Sequence, residues 1–237
     1  MALYKKENLT TYTLGITLTI ELLKYHPEYV KMIYFHSEFN GESKNKIIDL
    51  CHQNQISYLV NNKIFNQLTV KENCYVVGEF YKYNQEIIDK QNHIVLVNPQ
   101  DAGNLGTIMR TAVGFNFLNL VIIEPGVDHF NPKVVRSSMG SIFHLNIERF
   151  KSFSEYLEKY SEHDIYPFML KAKYSLDEFH NIKPKHSYKT LVFGNEATGL
   201  DDSFLNIGTP IIIKHSNKID SLNLPIASSV AMYEVSK

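Results

Sequence analysis

The chain has 237 residues, 44% of them hydrophobic and 21% charged, with a formal net charge of −1, the profile of an ordinary globular protein with room for one large or two modest cores. No apolar stretch reaches the about 18 residues of a membrane span, and the opening MALYKKENLTTYTLGITLTI, broken by threonines and lacking a small-residue cleavage site, reads as mature sequence. Two cysteines, Cys51 and Cys74, with no CxxC and no histidine at ligand spacing, speak against a disulfide framework or a zinc site, so no metal is expected and the protein is read as cytoplasmic with two free thiols.

In chain order, VKMIYFHS (Val30–Ser37) reads as a strand and KNKIIDLCHQNQ (Lys44–Gln55) as an amphipathic helix. ISYLV is a short strand, NKIFNQL a short helix and CYVVGEF a further strand. This alternation predicts a small α/β domain over residues 1–88. The polar run YKYNQEIIDKQN then breaks the pattern and is read as a linker. After it, HIVLV and LVIIE are near-continuous apolar runs of the kind found in buried parallel strands. Between them Ile108, Met109, Ala112 and Val113 share one helical face, which puts Asn104 at a helix start and Arg110 within the next two turns. IYPFML, TLVF and GTPIIIK follow as strands, FSEYLEKY and IASSVAMYEV as helices, giving a second α/β domain over residues 93–237.

The near-zero net charge advertises no global field for nucleic acid. A local patch is nevertheless suggested by Lys133 and Arg136. The chain carries only three arginines, Arg110, Arg136 and Arg149, and the planar fork of this side chain suits phosphate or carboxylate; Arg149 is read as an ordinary surface charge. The ten histidines sit in no triad or metal-binding context and are read as surface or satisfied core residues. Gly103-Asn104-Leu105-Gly106 lacks the G-x-G-x-x-G of a dinucleotide site, and no G-K-S/T exists for a P-loop, so phosphate cradling is poorly supported.

Three spaced segments carry the chemistry: NPQDAGNLGTIMRTAVGF (Asn98–Phe115), LVFGNEATGL (Leu191–Leu200) and SLNLPIASSVAMYE (Ser221–Glu234). Together and in this order they resemble the signature motifs of the SpoU/TrmH branch of the SPOUT RNA methyltransferases, and the likeness covers residues 93–237. The resemblance implies a SPOUT-type α/β catalytic domain with a C-terminal trefoil knot, a homodimer, and transfer of a methyl group from S-adenosyl-L-methionine to a ribose 2′-hydroxyl of ribosomal or transfer RNA. By the same likeness, backbone at Gly194, Ile213 and Leu222 would hold the cofactor, with the missing side chain of Gly194 letting a ligand approach. Asn104, Arg110, Glu196, Ser221 and Asn223 would be the catalytic positions, Arg110 acting as base or as a holder of phosphate and stabiliser of the alkoxide. The first domain is similar, by order of elements, to the RNA-binding domain fused to such enzymes. With the chain ending soon after its last helix, RNA recognition would rest on that domain. Two alternatives stay open: a non-catalytic RNA-binding protein of the same fold, and a methyltransferase of this fold acting on a base.

Overall fold

A computed structural model describes residues 4–68 and 74–237. The elements run β1 (Thr10–Leu14), α1 (Ile16–Tyr25), β2 (Val30–Phe35), α2 (Glu42–Gln53), β3 (Tyr58–Val60), α3 (Asn62–Gln67), β4 (Val76–Tyr81), β5 (His93–Val97), α4 (Ala102–Gly114), β6 (Asn119–Ile123), α5 (Pro132–Ser137), β7 (Asn146–Phe150), α6 (Phe153–Lys159), β8 (His163–Pro167), β9 (Tyr174–Ser175), β10 (Tyr188–Phe193), β11 (Ile211–Ile212) and α7 (Leu224–Val235). They form two compact units, one of residues 1–83 with 128–144, the other of residues 84–127 with 145–237.

The first unit is built on a four-stranded mixed sheet in the order β1-β4-β2-β3. Its central strand β4 is buried through Phe80, and Gly78 within it is required by close packing, since a Cβ there would stand 2.6 Å from Thr13 Oγ1. The threonine-rich β1 and the following α1 were not expected from the pattern, because Thr11, Thr13 and Thr19 look polar. They are buried through paired hydroxyls, Thr13 to Thr19 at 2.9 Å.

Residues 128–144, expected in the second domain, group instead with this first unit. The reason is local bonding: Lys82 pairs with Asp128 at 2.9 Å, Thr11 donates to the Phe130 carbonyl at 2.6 Å, and His144 meets Glu21 at 2.8 Å. Phe130 also packs edge-on against Phe80 and Tyr83. Within the segment, Asn131 caps α5 by accepting from the Lys133 amide, with Pro132 at the first helical position.

The second unit holds a five-stranded parallel sheet in the order β7-β6-β5-β10-β8. All five residues of β6 are buried, as its continuous apolar run requires of a strand covered on both faces. Val95, Val121 and Val192 gather on one face with Phe150, Phe153, Tyr156 and Ile165. The opposite face is covered by α7, which packs on β10 and on α4. The run GTPIIIK yields only the two-residue β11, paired with β9. The segment read as a linker is in its second half a strap: the amides of Ile87 and Ile88 donate to Glu148 Oε2 at 3.2 Å and Asn119 Oδ1 at 2.8 Å.

Candidate functional site

The site begins where the strand order turns. From β5 the chain adds β6 and β7 on one side, while β10 and β8 lie on the other, so the segments leaving β5 and β10 part from neighbouring strands and open a crevice at their carboxyl ends. Open α/β sheets take ligands at such a switch point. Asn195 Nδ2 ties the two segments by donating to the Asn98 carbonyl at 2.8 Å. Its Oδ1 accepts from the amides of Ala197 and Thr198, which turns the second segment back on itself. Glu196 completes the junction, accepting from the Gln100 amide at 3.2 Å, the Asp101 amide at 3.0 Å and Asn104 Nδ2 at 3.3 Å. Asp101 caps α4 by accepting from the Asn104 amide at 2.7 Å, so the helix start and the clamp share one small network.

Beside this junction lies a cleft of about 340 Å³ walled by Phe168, Phe193, Gly194, Ile213, Ser221 and Leu222 among others. Phe168 and Phe193 stack at 4.6 Å between centroids, an apolar wall against which a flat ring can lie. Gly194 is needed here for a reason other than the one expected. A Cβ on it would stand 2.1 Å from the Gly199 carbonyl carbon and 2.3 Å from the Leu200 nitrogen, so the missing side chain lets the loop fold over its own strand end. Lys171 spends its charge on both oxygens of Asp202, at 2.8 and 2.7 Å. The wall thus offers aromatic and aliphatic surface with backbone polar atoms and no basic cluster, which fits a ligand without phosphates.

Of the positions expected from sequence, Gly194, Glu196, Ile213, Ser221 and Leu222 line the cleft, and Asn104 lines a shallow depression that also contains Glu196. Asn223 caps the start of α7 through its backbone, its carbonyl accepting from the Ala227 amide, and its side chain makes no capping bond. Arg110 does not line the cleft; it stands exposed on α4, with no hydrogen bond or ion pair among the described residues. Lys133 and Arg136 lie one turn apart on the exposed side of α5, in the first unit. Arg149 is no free surface charge: it pairs with Glu124 at 2.8 Å and donates to the carbonyls of Gly126 and Val127. His215, passed over in the sequence, lines the cleft, and its only sequence signal is its place two residues after Ile213.

A family model described as the SpoU rRNA Methylase family matches residues 91–233. An uncharacterized tRNA/rRNA methyltransferase of Synechocystis sp. is 30% identical over 81% of this chain and 72% of its own length. A 23S rRNA (guanosine(2553)-2′-O)-methyltransferase of Bacillus subtilis is 26% identical over 98% of this chain and 91% of its own. Among solved structures, the AdoMet-bound rRNA methyltransferase from Sinorhizobium meliloti superposes with a TM-score of 0.79 at 23% identity, covering 95% of this chain and 86% of that one, a likeness of fold.

Proposed function

We propose that this chain, which belongs to the SpoU rRNA Methylase family, is an S-adenosylmethionine-dependent RNA methyltransferase that modifies a ribose 2′-hydroxyl in ribosomal or transfer RNA. The observation that carries this reading is the cleft itself: residues of the second and third motifs wall it, and Glu196 bonds them to the first. S-adenosylmethionine, when bound, supplies an electrophilic methyl carbon on a sulfonium. The chain's part is to hold that group and bring the hydroxyl to it, and such positioning supplies much of the acceleration. Phe168, Phe193, Ile213 and Leu222 offer an apolar slot, and the backbone of Gly194 and Leu222 offers hydrogen-bonding groups. Glu196 is a positioning residue, because its carboxylate is consumed by two amides and Asn104. Arg110, whose side chain has no partner among the described residues, holds the RNA phosphate beside the target ribose and stabilises the developing alkoxide, a role suited to a permanently charged fork.

The remaining features follow from family likeness. The segment after β10 is assigned the trefoil knot. A second copy is assigned to the exposed stripe of α7, where Ile226, Val230 and Tyr233 repeat at helical spacing and are 54%, 41% and 52% exposed. Arg110 then lies at the junction of copies, because α4 is bonded to α7 through Thr111 and Ser229 at 3.1 Å. The first unit is assigned to RNA, with Lys133 and Arg136 contacting the backbone. Among the described residues no helix is long and apolar enough to cross a membrane, and cytoplasmic RNA is the substrate pool assigned.

Arg110→Ala tests the reading. Its single-turnover methylation rate should fall about 100-fold, the scale of losing one preorganised donor, with calorimetric affinity for S-adenosylmethionine unchanged. A wild-type rate would remove Arg110 from the reaction, and a wild-type protein that binds neither S-adenosylmethionine nor its demethylated product would end the enzymatic reading.

A further inference from the structure

Four ionisable side chains line the cleft: Lys171, Glu196, Asp202 and His215. Lys171 and Asp202 neutralise each other, and Glu196 is bonded to two backbone amides and to Asn104. His215 alone is left with capacity to spare. Its Nδ1 lies 2.9 Å from the Ile213 carbonyl. A carbonyl only accepts, so Nδ1 carries the ring proton and the neutral imidazole keeps a lone pair on Nε2. That nitrogen has no partner among the described residues. The bond to Ile213 also orients the ring, and Ile213 is itself part of the cleft wall. An oriented acceptor on a cleft wall is the kind of group that fixes a ligand's orientation.

We propose that His215 is a cofactor-binding residue whose Nε2 accepts a hydrogen bond from the nucleoside half of the cofactor, from a ribose hydroxyl or the adenine amine. A neutral acceptor is unsuited to the carboxylate of the methionine half and suits either nucleoside donor; the ammonium of the methionine half is also a donor, and adenosine, which lacks it, separates the two. The inference rests on the methyltransferase reading above.

Two substitutions separate binding from loop stapling. His215→Asn places an amide nitrogen near the position of Nδ1, able to keep the bond to Ile213, and removes the Nε2 acceptor. His215→Gln places its amide near Nε2 and gives up the bond to Ile213. Calorimetry would use S-adenosylhomocysteine and adenosine as separate probes. His215→Asn should weaken both by about tenfold, the scale of one net hydrogen bond, while His215→Gln stays within about threefold of wild type. If His215→Asn binds as tightly as wild type, or His215→Gln loses as much as His215→Asn, the histidine is only a loop staple. If the loss appears with S-adenosylhomocysteine and not with adenosine, the nucleoside assignment is overturned. If the wild type binds neither probe, the failure belongs to the methyltransferase reading.

Discussion

The amino-terminal ends of the five parallel strands hold His93, Asn119, Asn146, His163 and Thr190, whereas the carboxyl-terminal ends open into the cleft beside Glu196 and His215. At the first end the buried polar groups meet one another inside the chain. His93 Nε2 donates to the Ile88 carbonyl at 2.9 Å, which leaves Nδ1 to accept from the Tyr156 hydroxyl at 2.9 Å. Tyr156 meets Thr190 at 2.7 Å, Thr190 meets His163 Nδ1 at 3.0 Å, and His163 Nε2 donates to the Asp89 carbonyl at 2.6 Å. This chain crosses strands β5, β10 and β8 and fastens the strap of residues 88–89. At the second end, Glu196 and Asn195 hold the loops but leave a cavity, and His215 keeps an unused acceptor. The same residue types serve as architecture at one end and as site at the other. What separates them is burial: a polar group shut off from water must find its partner within the chain, and one facing a cleft can wait for a ligand.

The largest effect should come from the second end. Gly194→Ala forces a methyl group into the backbone of Gly199 and Leu200, which unlike a side-chain tip cannot swing aside. We expect a stability loss of about 3 kcal/mol and at least a hundredfold weaker binding of S-adenosylhomocysteine, read by thermal melting and calorimetry. Unchanged binding would mean the loop is not what shapes the cleft.

Acid should act at the first end to a similar extent. Burial pushes the His93 imidazole down to about 4, with the neighbouring His163, also lowered by burial, adding to the effect. A histidine held neutral in the fold stabilises above its unfolded value of about 6.5. That contribution falls as the unfolded chain takes up its proton first, and it is gone below about pH 4. The expected loss across this window is about 3 kcal/mol for His93. Urea denaturation at a series of pH values measures it, and His93→Gln should flatten the curve. A wild-type curve already flat between pH 6.5 and 4 would show that the histidine is not shielded.

Tyr156→Phe is the smallest and the sharpest of these tests. It removes one hydroxyl between His93 and Thr190: Thr190 keeps its bond to His163, and His93 Nδ1 is left short of a donor at a cost of about 2 kcal/mol. Cofactor affinity should not change by more than about twofold, because the hydroxyl lies at the opposite end of the sheet. If affinity and stability fell together, the two ends would not be independent.

Much of this was readable from the chain. The apolar runs of β5, β6 and β10 require burial on both faces, and the spacing of Ile108, Met109 and Ala112 requires a helix with one buried side. The three motifs also carried the family, because loops that must hold a particular backbone shape write it in short local runs such as Gly-Asn-Glu. β7 escaped notice because Glu148 and Arg149 interrupt its pattern, and both turn out to be spent on other parts of the same unit.

Sequence by itself determined which stretches must be buried, that a helix follows β5 and which loops are special, since these depend on neighbours a few residues apart; the helix starts at Ala102 under an Asp101 cap, ahead of the expected Asn104. Only the tertiary structure decided which partner each polar group meets. Strand order brings Glu196 to Asn104 across 92 positions, packing moves residues 128–144 into the first unit, and Arg110 is left outside the cleft that the second and third motifs wall. A hydrogen bond needs two groups within about 3 Å, and no local pattern states which distant residue the folding of the sheet will bring there.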